Sequence, residues 1–162
     1  MLMLGLSASL SDAQTPVALT LADCRKVFPG ARSSAVVRTL DSNVQCTEVW
    51  EGSTWGPAEG FLGYIFQKSQ AYEGKTLEIL VGIKSTGVIT SVGVTGFARV
   101  PEEFLLQYRG KTVQGSFELA RTTEDLLFVP AKIKALQGNL ALSESIAQGV
   151  KDIARSARQV LE

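Results

Sequence analysis

The chain reads as an α+β protein, an antiparallel twisted sheet packed by N-terminal and C-terminal helices. Three observations predict this. Apolar runs with two-residue alternation fill the middle of the chain at Phe61–Lys68, Leu77–Lys84 and Val88–Thr95. Turn residues separate them, and the glycine of Ser85-Thr86-Gly87 supplies the positive φ that a tight hairpin needs. Near the end, Leu142, Ile146, Val150, Ile153, Ala157 and Val160 recur at spacings of three and four, the apolar stripe of an amphipathic helix. The 162 residues suit one domain with a core of its own, 45% of them hydrophobic and 20% charged, so the chain is neither disordered nor a coiled coil.

The elements follow in order. Thr20 stands three residues before Asp23, a capping-box pattern, and predicts a short helix with Leu21, Cys24 and Phe28 inward. Pro29-Gly30 stops it. Ala35–Leu40 and Val44–Trp50 read as strands around Asp41-Ser42-Asn43, and Gly52–Pro57 reads as a loop. Pro101 suits the start of a short helix reaching Tyr108. Lys111–Thr123 gives no clear pattern beyond a turn at Gln114-Gly115-Ser116, and Leu126–Val129 is a short apolar piece before Pro130. In the final helix Lys151, Arg155 and Arg158 fall in the later turns, where cations suit the carbonyl end of the dipole; Gly149 weakens it by about 1 kcal/mol relative to Ala.

Composition closes several routes. With 16 basic and 16 acidic residues the formal net charge is zero, which argues against non-specific nucleic-acid binding. The chain has no His, so His-based triads and His-ligated metals are excluded, and neither catalytic residues nor metal ligands are expected. The adjacent acids Glu102-Glu103 and Glu124-Asp125 read as helix-start charges rather than a catalytic pair. No apolar run reaches the roughly 18–20 residues needed to span a bilayer. Leu2–Leu10 followed by Ser11-Asp12-Ala13 looks like the apolar part and cleavage region of an export signal without its basic lead. Residues 1–14 are therefore expected to be a truncated signal or membrane-anchor remnant and residues 15–162 a single domain; the other reading is the ordinary N-terminus of a cytoplasmic protein. Leu21-Ala22-Asp23-Cys24 is a poor lipid-attachment box, with Asp23 before the cysteine. Cys24 and Cys46 allow either one disulfide or two thiols acting as small hydrophobes.

The wording of Gly63-Tyr64-Ile65-Phe66, Tyr72-Glu73-Gly74-Lys75 and Leu77–Ile89 resembles the bacterial FMN-binding domain family. That family includes flavin subunits of the sodium-pumping NADH:quinone reductase and of the Rnf complex, and the flavin domain of the nitrous-oxide reductase regulator. The resemblance spans roughly residues 60–160 and is densest over Phe61–Val94. It implies an exported or membrane-associated domain that carries electrons on FMN beside a membrane redox partner, hence a periplasmic or other extracytoplasmic location. In flavinylated members the segment before the last helix holds an Asp and then Ser-Gly-Ala-Thr, whose threonine is esterified to the FMN phosphate. Here Lys134 takes the place of the Asp, and Gln137-Gly138-Asn139-Leu140 that of Ser-Gly-Ala-Thr. Leu140 has no hydroxyl, so the resemblance implies non-covalent FMN at most.

The residues themselves offer a weaker version of the same site. A glycine turn feeding a helix start presents unpaired N–H groups and a partial positive charge to an anion. Gln137, Gly138, Asn139, Leu140 and Ser143 are the expected phosphate-end residues, with Lys75 or Lys134 adding charge and Tyr72, Trp50 or Trp55 covering the flavin ring. The competing expectation is a flavin-less degenerate member, kept as a partner-docking or ligand-sensing module.

Overall fold

In the computed structural model, which describes residues 18–40, 43–52, 60–96, 100–122 and 132–162, the α+β architecture is as the patterning predicts. Helix α1 (Leu21–Val27) is followed by strands β1 (Ser33–Leu40), β2 (Val44–Trp50), β3 (Phe61–Tyr72), β4 (Lys75–Ile83) and β5 (Ile89–Thr95). Then come α2 (Glu102–Leu106), the two-residue strands β6 (Leu119–Ala120) and β7 (Ile133–Lys134), and the long helix α3 (Leu140–Leu161). The five long strands form one antiparallel meander in chain order, and β6 and β7 pair in parallel beside it.

Local chemistry explains the elements. Thr20 completes a capping box with Asp23: the Asp23 amide donates to Thr20 Oγ1 and the Thr20 amide to the Asp23 carboxylate. The hydrogen bonds from Thr20 hold the Asp23 carboxyl below its ordinary pKa. The β3–β4 hairpin turns on Glu73 and Gly74, with φ of 46° and 73°; two successive positive φ values suit the right-handed twist of the flanking strands. That geometry carries β3 on to Tyr72 and starts β4 at Lys75, so the hairpin is longer than the apolar alternation suggested.

Alternation sends the two faces of the sheet to two different cores. Val44, Cys46, Phe66, Leu77, Ile79, Val81 and Ile83 join Leu142, Ile146, Val150 and Ile153 of α3, together with Phe104 and Tyr108 at α2. Cys24, Phe28 and Ala31 join Val49 and Ile65 on the other side. The stripe read from the sequence is the buried face of α3 from Leu142 to Ala157, with Val160 only half-buried, and Lys68 of β3 forms an ion pair with Asp152 at its margin. Gly149 has a role beyond helix propensity: a Cβ there would collide with Ile79 Cδ1, so its absence lets α3 approach the sheet closely.

The two cysteines are both thiols. Cys24 lies on the buried face of α1 and Cys46 on the α3 side of the sheet, so the sheet lies between them and the disulfide alternative is excluded. Burial pushes the Cys24 thiol above its ordinary pKa, opposed by a hydrogen bond with Ser34. The signal-like segment, Trp55 and Leu126–Val129 lie outside the described residues.

Candidate functional site

β7 leads directly into the predicted glycine turn, and side chains fix both. The Gln107 carboxamide, just after α2, clamps Lys134 of β7: its Oε1 accepts from the Lys134 amide at 2.7 Å and its Nε2 donates to the Lys134 carbonyl at 3.0 Å. A side chain thus supplies the pairing that another strand would give. On the other edge β6 pairs with β7, and the Ile133 amide donates to the Glu118 carbonyl at 2.8 Å.

After β7 the chain reverses between Leu136 and Asn139, closed by the Asn139 amide donating to the Leu136 carbonyl at 3.2 Å. Gly138 has φ of 76°, a conformation costly to any residue with a Cβ. Asn139 then caps α3, its Oδ1 accepting from the Leu142 amide at 3.1 Å and from the Tyr72 hydroxyl at 3.1 Å. Ser143 is fully buried; its hydroxyl accepts from the Leu136 amide at 2.8 Å and donates to the Asn139 carbonyl at 3.0 Å. The turn is therefore tied down on its inner side by Tyr72 and Ser143.

Its outer side is open. A Cβ added at Gly138 would meet no atom within 4 Å. A recess of about 580 Å³ lies there, walled by Ala120–Thr122 on one side and Lys134–Leu140 on the other. The amides of Leu140 and Ala141 open the 22-residue helix and have no acceptor among the described residues. The summed peptide dipoles place about half a positive charge at that end. Arg121 and Lys134 both line the recess, and Arg121 Nη2 also reaches Glu144 Oε1 at 2.9 Å. The donor set of backbone N–H groups, a guanidinium and an ammonium fits a phosphate or carboxylate.

The structure sorts the residues expected from the sequence. Gln137, Gly138, Asn139, Leu140 and Lys134 come together along the recess. Leu140 is 42% exposed and offers no oxygen for a phosphoester. Tyr72 and Ser143 support the turn from beneath instead of lining the recess. Lys75 is exposed on the hairpin rim as the cross-strand partner of Tyr72 and does not line the recess either. Trp50 cannot cover a ring at this site, because it sits beside Phe61 at the other end of β3, edge-on with ring centroids 4.8 Å apart. Sequence reasoning missed Arg121 and Gln107. A two-residue strand leaves no period to read, and nothing in the wording around Gln107 signals a clamp 27 residues away.

No family model matches the chain, and no curated protein matches it significantly.

Proposed function

We propose that this chain binds FMN without a covalent bond, as a domain of an exported or membrane-associated electron-transfer system. The phosphate of the cofactor would sit in the recess at the start of α3. The observation that carries this reading is the uncovered Gly138 turn, with Leu140 at the start of α3 and the cations Arg121 and Lys134 around one cavity. FMN, when bound, supplies the electron-carrying chemistry; the chain supplies position and charge. The resemblance of Phe61–Val94 to flavin-carrying domains supports the cofactor's identity and a membrane redox partner in an extracytoplasmic compartment. No described helix is long and apolar enough to cross a membrane.

Titration of FMN and riboflavin into the purified chain, followed by flavin fluorescence, tests it. FMN is expected to bind at least about tenfold more tightly than riboflavin, which lacks the phosphate. The intact mass is expected to show no flavin adduct. Equal affinity for the two flavins, or no binding of FMN at about 100 μM, overturns the reading.

A flavin-less docking or ligand-sensing module is the second reading. The engagement of the Tyr72 hydroxyl by Asn139 and the remote position of Trp50 favour it, because neither ring lies along the recess. Co-purification of a stoichiometric partner with flavin-free protein would support this alternative, whereas stoichiometric FMN in the protein as isolated would eliminate it.

A further inference from the structure

On the face of the sheet turned away from α3, a second recess of about 380 Å³ lies between α1 and strands β3–β5. Leu19, Val27 and Leu80 give it apolar walls. Its floor is kept open by Gly93. A Cβ there would meet no atom within 4 Å, and the backbone φ is one that any residue adopts. At Gly82, diagonally across on the same face, a Cβ would instead collide with Val27 Cγ1. So α1 is seated tightly on one glycine and stands clear of the other.

Two residues lining this space each carry a side-chain oxygen with no hydrogen bond among the described residues. Gln67 is only 4% exposed, and its Oε1 is buried with no hydrogen bond among the described residues. The Ser69 hydroxyl, on the same strand, donates to Glu78 Oε1 of the neighbouring β4 at 2.6 Å, and Glu78 Oε2 is buried with no hydrogen bond among the described residues. Folded proteins rarely leave such oxygens unsatisfied. Both are acceptors, so what completes them is a donor; if the Gln67 amide is turned over, Glu78 still sets the sign. Lys26 at the mouth is 78% exposed and pairs with Asp23 at 3.3 Å, so it does not fill the role.

We propose that this recess binds a small organic cation, an ammonium or amidinium carried on an apolar body. The head would reach Glu78 and Gln67, and the body would lie between Val27 and Leu80 over Gly93. The volume falls within the range of small-molecule pockets, and apolar walls with few convergent polar groups are their usual make-up. This site is independent of the flavin reading, since the sheet separates the two recesses.

Benzamidine titrated into the isotope-labelled full chain, read by amide chemical shifts, tests the proposal. Saturable shifts are expected at Val27, Leu80 and Gly93, with half-saturation on the order of 1 mM. Benzoate, the same ring with the opposite charge, is expected to leave them unmoved. Glu78→Gln, nearly isosteric, is expected to weaken benzamidine about tenfold or more, and Gly93→Leu to abolish its binding. Lys84→Ala, an exposed residue outside both recesses, is expected to leave benzamidine affinity unchanged. Absence of shifts up to about 10 mM, an equal response to benzoate, or unchanged affinity in Glu78→Gln overturns the proposal. Should Gly93→Leu fail to fold, Glu78→Gln with the benzoate comparison still decides.

Discussion

On the α3 side of the sheet, Phe66, Ile79 and Ile83 meet Ile146, Val150 and Ile153, all with no exposed surface. On the α1 side, the buried apolar set of Cys24, Phe28, Ala31, Val49 and Ile65 is smaller, and Gln45, Thr47 and Gln67 are buried beside it. Two glycines, one in α3 and one in β5, mark the contrast. Gly149 is a glycine because no atom fits between α3 and Ile79, whereas Gly93 looks onto empty space. One face is packed for stability. The other keeps polar atoms and volume that packing alone does not require.

The sharpest way to break this comparison is to cut into the dense face. Ile146→Ala should cost about 2–5 kcal/mol in denaturant unfolding, since a fully buried side chain leaves a cavity. A cost under about 1 kcal/mol would show that α3 is loosely docked. Next, the two glycines can be exchanged for the same residue. Gly149→Leu should lose about 1–3 kcal/mol by overpacking against Ile79, while Gly93→Leu should stay within about 0.5 kcal/mol of the parent. Equal losses at the two sites would erase the contrast.

A smaller effect is expected at the cap. Asn139→Ala removes the acceptor of both the Leu142 amide and the Tyr72 hydroxyl, and should cost about 1–2 kcal/mol. It should also weaken FMN, because the turn loses its inner tether; unchanged stability would mean the cap is replaceable.

The smallest effect at neutral pH belongs to two buried groups, one from each side of the sheet. Burial raises the phenol of Tyr108 above 10.0 and the thiol of Cys24 above 9.0. A raised folded-state pKa means the unfolded chain ionises first. The contribution of these two groups is therefore intact below about pH 9 and falls as pH rises past each unfolded-state value. Tyr108→Phe should leave neutral-pH stability almost unchanged, because the hydroxyl has no partner among the described residues, and should flatten the alkaline decline. An unaltered decline would assign it elsewhere.

The fold was legible where periodicity was long. The stripe from Leu142 to Ala157 named the buried face of α3, and the alternation in β3–β5 named three strands of the antiparallel sheet. Thr20 and Asp23 announced α1 because a capping box is local chemistry. What stayed hidden depends on contacts distant in sequence. Gln107 clamps β7, Arg121 closes one wall of the recess, and Tyr72 reaches Asn139 across 67 positions. The backbone at Gly138 was readable, because a positive φ before a helix has few other solutions, but the burial of Ser143 beneath it was not.

The meander also implies an order of assembly. Every ladder of the five-stranded sheet joins consecutive strands, so each hairpin closes a modest loop, and closure entropy rises with loop length. Docking of α3 onto β3 joins residues as far apart as Lys68 and Asp152. The connectivity therefore favours a sheet that zips first and a helix that arrives late. Stopped-flow measurements on Ile146→Ala should show faster unfolding with a nearly unchanged folding rate; a slowed folding limb would place the helix in the nucleus instead.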